Sequence, residues 1–194
     1  SEMELVEVRT QFGFLFQMGA LFDSMTVAGN VCFPLGEHTR MSGEEQRDRC
    51  DQVLRLVGLG GMERKMPAQL SGGQRKRIAL ARAIALEPRF ILYDEPTTGL
   101  DPIRADVINE LILRLQQKLN VTSIAVTHDM ASAYKIADRL VMLYDGRIIA
   151  DGSPEEIQQS DDPMVRRFIR GEAEDEELEK IAAETAQPFG GDEP

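Results

Sequence analysis

Two adjacent carboxylates, Asp94 and Glu95, end a short apolar run and are the residues of this sequence best suited to catalysis. The run Phe90–Tyr93 is too short for a helix and is bounded by Pro88 and Pro96, so it predicts a strand buried on both faces. Open α/β sheets place ligands at the carboxyl ends of their strands. Adjacent strand side chains point to opposite faces, so one carboxylate can hold Mg²⁺ while the other orients a water as a general base. The alternative is a solvated acidic pair on the surface.

A candidate anion site lies upstream, where Ser71, Gly72 and Gly73 precede a helix-forming run over Gln74–Leu86. Ser71 stands at the N-cap position, and the glycines let the backbone approach a ligand closely. The first N–H groups of a helix have no partner within it, and the helix dipole favours negative charge there. An ordinary capped turn is the alternative for these three residues.

Three motifs together resemble one family. Leu70–Gln74 (LSGGQ), the apolar strand ending in Asp94–Glu95, and Gly99–Asp101 (GLD) are similar to the signature, Walker B and D-loop motifs of ATP-binding-cassette (ABC) ATPases. The resemblance implies an α/β fold with a P-loop NTPase-like core and an inserted helical subdomain. It also implies ATP and Mg²⁺ as cofactors and a head-to-tail homodimer, in which each ATP also contacts the neighbouring subunit. The residues that it assigns to nucleotide or dimer contact are Ser71, Gly72, Gly73, Gln74 and Asp101.

Two further polar residues end predicted strands and acquire roles through the same resemblance. Gln17 follows the apolar run Phe12–Phe16, and His128 follows Thr122–Val126, which predicts a second buried strand. Each is by default a structural residue at a strand end. The resemblance makes Gln17 the Q-loop glutamine, which reaches Mg²⁺ and the attacking water, and His128 the H-loop histidine, which contacts the γ-phosphate and the catalytic glutamate. We therefore expect Glu95, His128 and Gln17 to be catalytic, with Asp94 and Gln17 at the metal.

Local signals place these motifs on regular elements. Ser42–Glu45 is a capping box that opens a helix ending at Gly58, and Asp101–Pro102 opens another that runs to about Leu119. In that second helix we expect Val107, Ile108, Leu111, Ile112 and Leu115 to be buried. Asp145-Gly146 lies between two apolar runs and predicts a tight hairpin. Short helices are predicted after Ser153 and over Pro163–Arg170.

The resemblance divides the chain into three parts. Residues 26–86 form the helical subdomain, residues 87–170 the C-terminal part of the α/β core, and residues 171–194 an acidic tail for which disorder or a solvated helix is expected. Too few residues separate Gln17 from Ser71 for a long coiled coil, which argues against the DNA-repair branch of these ATPases. Cys32 and Cys50 lie among apolar neighbours, so buried free thiols are expected.

Composition excludes several classes of protein. The chain has 194 residues, 42% of them hydrophobic and 28% charged, which fits one soluble globular domain. No apolar run approaches the roughly 20 residues that cross a bilayer, and no signal peptide is present, so a cytosolic protein is expected. The net charge is −11, and the tail beyond Arg170 has nine acidic residues against one lysine. No basic face for nucleic acid is implied.

A P-loop is absent from these 194 residues. That motif is GxxxxGK[ST], because backbone N–H groups and a lysine cradle the phosphates. The five lysines are followed by Met, Arg, Leu, Ile and Ile, so none fits. The family carries its P-loop before the Q-loop, so we expect the sequence to lack the front of the domain, with its first strands and Walker A motif. We therefore expect this chain alone neither to hydrolyse ATP nor to bind it tightly.

The peripheral segments favour one branch of the family. Ala20–Leu35, Ala83–Pro88 and Asp161–Ile169 resemble the ATPases of the maintenance-of-lipid-asymmetry (Mla) system, which moves phospholipids between bacterial membranes. The resemblance implies transmembrane permease subunits as partners and a position at the cytoplasmic side of the inner membrane. The alternatives are the ATPase of a small-solute or amino-acid importer, a soluble ABC protein acting on ribosomes or DNA, and an inactive fragment with only an interaction role.

Overall fold

The structure is a computed structural model that describes residues 2–173 and 175–185 and divides into two units. The first unit extends to Ile136 and the second begins at Ala137. No helix in the described ranges is long and apolar enough to span a membrane. The first unit contains α1 (Glu2–Thr10), β1 (Phe12–Leu15), α2 (Val27–His38), α3 (Gly43–Leu56), α4 (Gly72–Ala83), β2 (Phe90–Asp94), α5 (Pro102–Leu119), β3 (Thr122–Val126) and α6 (Met130–Ile136).

The first unit is built on a parallel sheet with strand order β1-β2-β3. Phe12 pairs with Phe90, and Phe90 pairs with Thr122, so the carboxyl ends of all three strands lie at one edge. Helix α4 packs on β1, and α2 packs on both α3 and α4. Gly13 is required where α4 meets the sheet, because a Cβ there would lie 2.4 Å from the carbonyl oxygen of Ala83. The α/β prediction with a parallel sheet is confirmed.

The predicted helix starts are confirmed because they depend on local chemistry. Ser42 and Glu45 form a reciprocal capping box at α3, and Ser71 and Gln74 form another at α4. The Asp101 side chain accepts a hydrogen bond from the N–H of Arg104 and caps α5. Each such cap satisfies first-turn donors and contributes about 1 kcal/mol to stability.

Two predictions of burial are wrong. Val107 is 48% exposed, because it lies at the margin of the buried face of α5. The neighbour of Ile108 that is buried is Asn109. The strand Thr122–Val126 forms as predicted, but Ile124 and Val126 are 60% and 62% exposed. β3 is the last strand of this sheet, and none of the described elements of the first unit covers that face.

The two faces of the sheet therefore differ. Leu15, Ile91 and Tyr93 are at most 1% exposed on the face that the helices cover. On the opposite face Phe12 and Phe14 are about 40% exposed, although the ring of Phe12 stacks on that of Phe90 at 5.0 Å. The prediction that β2 is buried on both faces thus holds fully for only one of them.

In the described residues of the second unit, 137–173 and 175–185, there are a hairpin and three helices. Strands β4 (Leu140–Tyr144) and β5 (Arg147–Gly152) are antiparallel and turn at Asp145-Gly146, where both residues have positive φ, as the sequence predicts. The helices are α7 (Pro154–Gln158), α8 (Pro163–Arg170) and α9 (Asp175–Thr185). Leu178 and Ile181 on α9 are half-exposed. The expectation for residues 186–194 lies outside the described residues.

The thiols follow the prediction in part. Both cysteines are free; Cys50 is buried, whereas Cys32 is half-buried between α2 and α3. Its thiol donates to the carbonyl of Gln46 at 3.6 Å.

Candidate functional site

The candidate catalytic residues lie where the three parallel strands of the first unit end. Gln17 follows β1 in an exposed turn, Asp94 is the last residue of β2 with Glu95 next to it, and His128 lies two residues after β3. Because the strands are parallel and in register, these ends share one edge of the sheet. The topology thus brings to one edge the four residues that the sequence assigns to catalysis and metal binding.

Glu95 and His128 are in direct contact. Nδ1 of His128 lies 2.8 Å from Oε1 of Glu95, and the Thr98 hydroxyl donates to Oε2 at 2.7 Å. Burial raises the pKa of Glu95, but the hydrogen bonds from His128 and Thr98 outweigh it and leave that pKa below its ordinary value. The hydrogen bond and charge of Glu95 raise the pKa of His128 above its ordinary value of 6.5. An ionised carboxylate oriented by an imidazole can position a water and accept its proton.

The titration of this pair gives a first prediction. The raised pKa of His128 means that the protonated imidazole stabilises the folded chain. This stabilisation is complete below pH 6.5 and is lost as the pH rises through the raised pKa. The lowered pKa of Glu95 means that its ionised carboxylate also stabilises the folded chain. This stabilisation is present above pH 4.5 and is lost as the pH falls through the lowered pKa. Because Gln has no charge, Glu95→Gln should return the pKa of His128 towards 6.5, as measured by NMR titration of the imidazole.

His38, the other histidine of the chain, provides the internal control in the same spectra. An unchanged His128 titration in the Glu95→Gln protein would mean that the two side chains do not interact in solution.

Asp94 is available for a cation. Its side chain is half-buried, and no hydrogen bond or ion pair engages it within the described part of the chain. The described residues hold no group of three or more His, Cys, Asp or Glu side chains that could bind a metal. Mg²⁺ typically takes only one or two protein carboxylates and completes its shell with waters and phosphate oxygens. The donors at this edge therefore fit such an ion.

The first turn of α4 presents main-chain donors. Ser71 Oγ accepts from the N–H of Gln74 at 3.3 Å, and Gln74 Oε1 accepts from the N–H of Ser71 at 2.9 Å. The N–H groups of Gly72 and Gly73 have no acceptor within the described residues. Two donors at the start of a twelve-residue helix suit a phosphate group.

The end of β2 and the start of α5 lie beside this turn. A Cβ on Gly72 would lie 3.8 Å from Leu100, and one on Gly73 would lie 3.9 Å from Arg104. The structure thus forms two groups of site residues. One group contains Ser71–Gln74 and Asp101, and the other contains Glu95 in contact with His128. Gln17 has no contact with either group among the described interactions.

Several residues at the site were not predicted from the sequence. Thr98 follows Glu95 by three residues, a spacing at which a hydroxyl can bond back to a carboxylate. Asp129 accepts from Thr97 at 3.2 Å and from Ser132 at 2.6 Å, and these bonds tie the segment after β3 to the segment after β2. Lys76 donates to the main-chain oxygen of Glu95 at 2.8 Å. Lys76 lies one helical turn before the buried Leu80, and this spacing is the sequence signal that indicates a buried position for Lys76.

Known proteins are similar in sequence to this chain. A family model described as "ABC transporter" matches residues 1–98. The ATP-binding protein MlaF of the intermembrane phospholipid transport system of Haemophilus influenzae is 47% identical over 174 residues, which are 90% of this chain and 66% of that protein. A protein of Mycobacterium leprae described as a probable ribonucleotide transport ATP-binding protein, Mkl, is 46% identical over 88% of this chain and 49% of its own length.

Solved structures are similar over most of the chain. The dimeric ATP-binding cassette MJ0796, in a post-hydrolysis state bound to ADP and phosphate, has a TM-score of 0.70 and 36% identity, covering 79% of this chain and 68% of that one. CbiO1 of Clostridium perfringens, part of an ABC transporter complex, has a TM-score of 0.76 and 28% identity, covering 96% and 72%. The chain thus spans about half of the mycobacterial relative and two thirds of MlaF.

Proposed function

The chain belongs to the ABC transporter ATP-binding family, and from this premise we propose that it is part of an ATPase subunit that drives phospholipid transport across the bacterial envelope. The observation that carries the proposal is the contact of Glu95 with His128, next to the unengaged carboxylate of Asp94. The relation to MlaF supports phospholipid as the cargo. As in that family, residues 26–86 would serve as the helical subdomain.

The residues would divide the work of phosphoryl transfer, which is mostly positioning and charge stabilisation. Glu95 would orient and deprotonate the attacking water, and His128 would hold the carboxylate in place. Asp94, helped by the Gln17 amide, would hold Mg²⁺, which neutralises developing phosphate charge when bound. The N–H groups of Gly72 and Gly73 would bind the nucleotide of the second copy in a homodimer, with Ser71, Gln74 and Asp101 supporting that contact.

The partners that we propose are transmembrane permease subunits and a second copy of the ATPase, at the cytoplasmic face of the inner membrane. Nucleic acid is not among them. The test is to purify the complete protein with its genetic neighbours and to measure its ATP turnover in lipid vesicles. We expect a permease to copurify and phospholipid to stimulate turnover.

Other outcomes would replace this proposal. Stimulation by ribonucleotides instead of phospholipid would favour the substrate named for the mycobacterial relatives. Stimulation by an amino acid would favour an importer, and stimulation by ribosomes or DNA without a permease would favour a soluble ABC protein. If the complete protein showed no turnover at all, the role of an interaction-only fragment would remain.

A second prediction concerns the chain by itself. None of its five lysines lies in a P-loop motif, so the phosphates lack the backbone N–H groups and the lysine of that motif. Calorimetric titration with Mg-ATP should give a dissociation constant weaker than about 1 mM, which corresponds to about −4 kcal/mol. A micromolar dissociation constant would contradict this expectation and would indicate phosphate donors other than a P-loop.

A further inference from the structure

Lys76 is a lysine in the core of the first unit, with 6% of its surface exposed. It lies on α4, one turn before the fully buried Leu80. Burial lowers the pKa of Lys76, and the charges of Glu95 and Asp94 oppose that effect. An ammonium group removed from water is costly unless hydrogen bonds replace its hydration. A methionine would fill this space without that cost, so the position calls for an explanation in terms of what the ammonium binds.

The ammonium binds the main chain of Glu95. Nζ of Lys76 donates to the Glu95 carbonyl oxygen at 2.8 Å, while the N–H of Glu95 donates to the carbonyl of Val126 on β3 at 2.9 Å. The φ of Glu95 is +48°, a left-handed conformation that costs an L-residue roughly 1–2 kcal/mol. Contacts from α4 and from β3 therefore hold a strained backbone in place.

The direction of the Glu95 carboxylate depends on this backbone. The side chain of Glu95 projects from this backbone. One of its carboxylate oxygens lies 2.8 Å from Nδ1 of His128, and the other accepts from the Thr98 hydroxyl at 2.7 Å. A small rotation of the backbone would carry the oxygens away from both groups, because each hydrogen bond weakens steeply with distance and angle.

We propose that Lys76 is a positioning residue: it fixes the main chain of Glu95 to α4 and thereby sets the carboxylate against His128. The role in turnover rests on the proposed ATPase function. Lys76 follows Gln74 by two residues on the same helix, so the group that would face the partner's nucleotide and the residue that holds the main chain of Glu95 share one rigid element. If the first turns of α4 moved, the hydrogen bond from Lys76 would shift the main chain of Glu95 with them.

A purely electrostatic role for Lys76 predicts a different result. The charges that act on His128 are those of Glu95 and Asp129, and the charges that act on Lys76 are those of Glu95 and Asp94. Removing a nearby cation raises the pKa of a histidine, because the imidazolium is then repelled less. Removing a positioning contact lowers the pKa of His128, because the carboxylate no longer stays against the ring. The sign of the change therefore separates the two roles.

The test compares Lys76→Met with Lys76→Gln by NMR titration of His128 in the 194-residue chain. Both variants remove the charge, but only glutamine keeps an N–H donor, on a side chain one bond shorter than that of lysine. In the Met variant the pKa of His128 should fall towards its ordinary value, because the Glu95 carboxylate no longer stays against the ring, and in the Gln variant it should fall by less. An unchanged or raised pKa in the Met variant, or equal changes in both, would overturn the proposal. Circular dichroism on both proteins confirms that they are folded.

Kinetics of the complete ATPase supply the second arm. Lys76→Met should lower kcat about tenfold or more with KM changed less than about threefold, and Lys76→Gln should keep kcat within about threefold. Equal losses in both variants would overturn the positioning role. The NMR arm needs no nucleotide, so it decides the role of Lys76 even if the complete protein proves not to hydrolyse ATP.

Discussion

Glu95→Gln in the ATPase that we propose should lower turnover by about two to four orders of magnitude while ATP stays bound. The amide has nearly the same shape as the carboxylate, so the backbone at φ +48° and the contact with Thr98 can be kept. It cannot accept a proton from water, however, and it has no charge to attract the imidazolium of His128. The dimer should therefore accumulate in its closed, ATP-bound form.

Two measurements check this expectation. Turnover gives the catalytic loss, and size-exclusion chromatography with Mg-ATP shows whether the dimer persists. Glu44→Gln is the matched control, because Glu44 is exposed on α3 and lies outside the site. Turnover of the Glu95→Gln protein equal to that of the unmodified protein would remove Glu95 from the role of base.

The second large effect concerns stability and involves a buried arginine. Arg49 on α3 is 9% exposed, and its guanidinium donates to the main-chain oxygens of Ala85 at 2.9 Å and Ile84 at 3.1 Å. These carbonyls lie directly after α4, which ends at Ala83, and the end of a helix leaves acceptors without a partner inside the helix. Arg49→Met should lower the free energy of unfolding by about 2–4 kcal/mol, because the Ala85 oxygen loses the donor that Arg49 supplies and the Ile84 oxygen is left with the N–H of Glu87.

Arg55→Met on the same helix provides the control. Arg55 is 67% exposed, and within the described part of the chain its side chain pairs only with Asp51, so its loss should cost less than about 1 kcal/mol. Urea unfolding of the chain and both variants, followed by circular dichroism, measures the difference. Equal stabilities of the two variants would show that Arg49 does not hold α4 against α3.

Features that depend on a few neighbouring residues were predictable from the sequence. The caps at Ser42, Ser71 and Asp101 use a side chain and an N–H three residues later, so their chemistry is complete within one turn. The hairpin at Asp145-Gly146 is similarly local, since both residues tolerate positive φ. The order of motifs also predicted the contact of Glu95 with His128, but only through the resemblance to a family.

Features that depend on what covers a surface were not predictable. Thr122–Val126 has the composition of a buried strand, yet Ile124 is 60% exposed because burial depends on a neighbouring layer and not on the strand itself. Lys76 is the opposite case. Its residue type predicts exposure, because a lysine is rarely buried, yet it is buried and donates to the carbonyl of Glu95 on another element. The spacing of Lys76 with Leu80 indicates which face of α4 it occupies, but the distant main-chain atom that it binds leaves no pattern in the sequence.

The parallel pairing of β1 with β2 has a consequence for how the chain folds. Phe12 pairs with Phe90, so every residue of α2, α3 and α4 lies in the loop that this pairing closes. The entropy of closing such a loop is lost before the strand contacts compensate for it, whereas helices form from neighbouring residues. We therefore expect α2–α4 to assemble early and the edge that carries Gln17, Asp94 and His128 to be completed last.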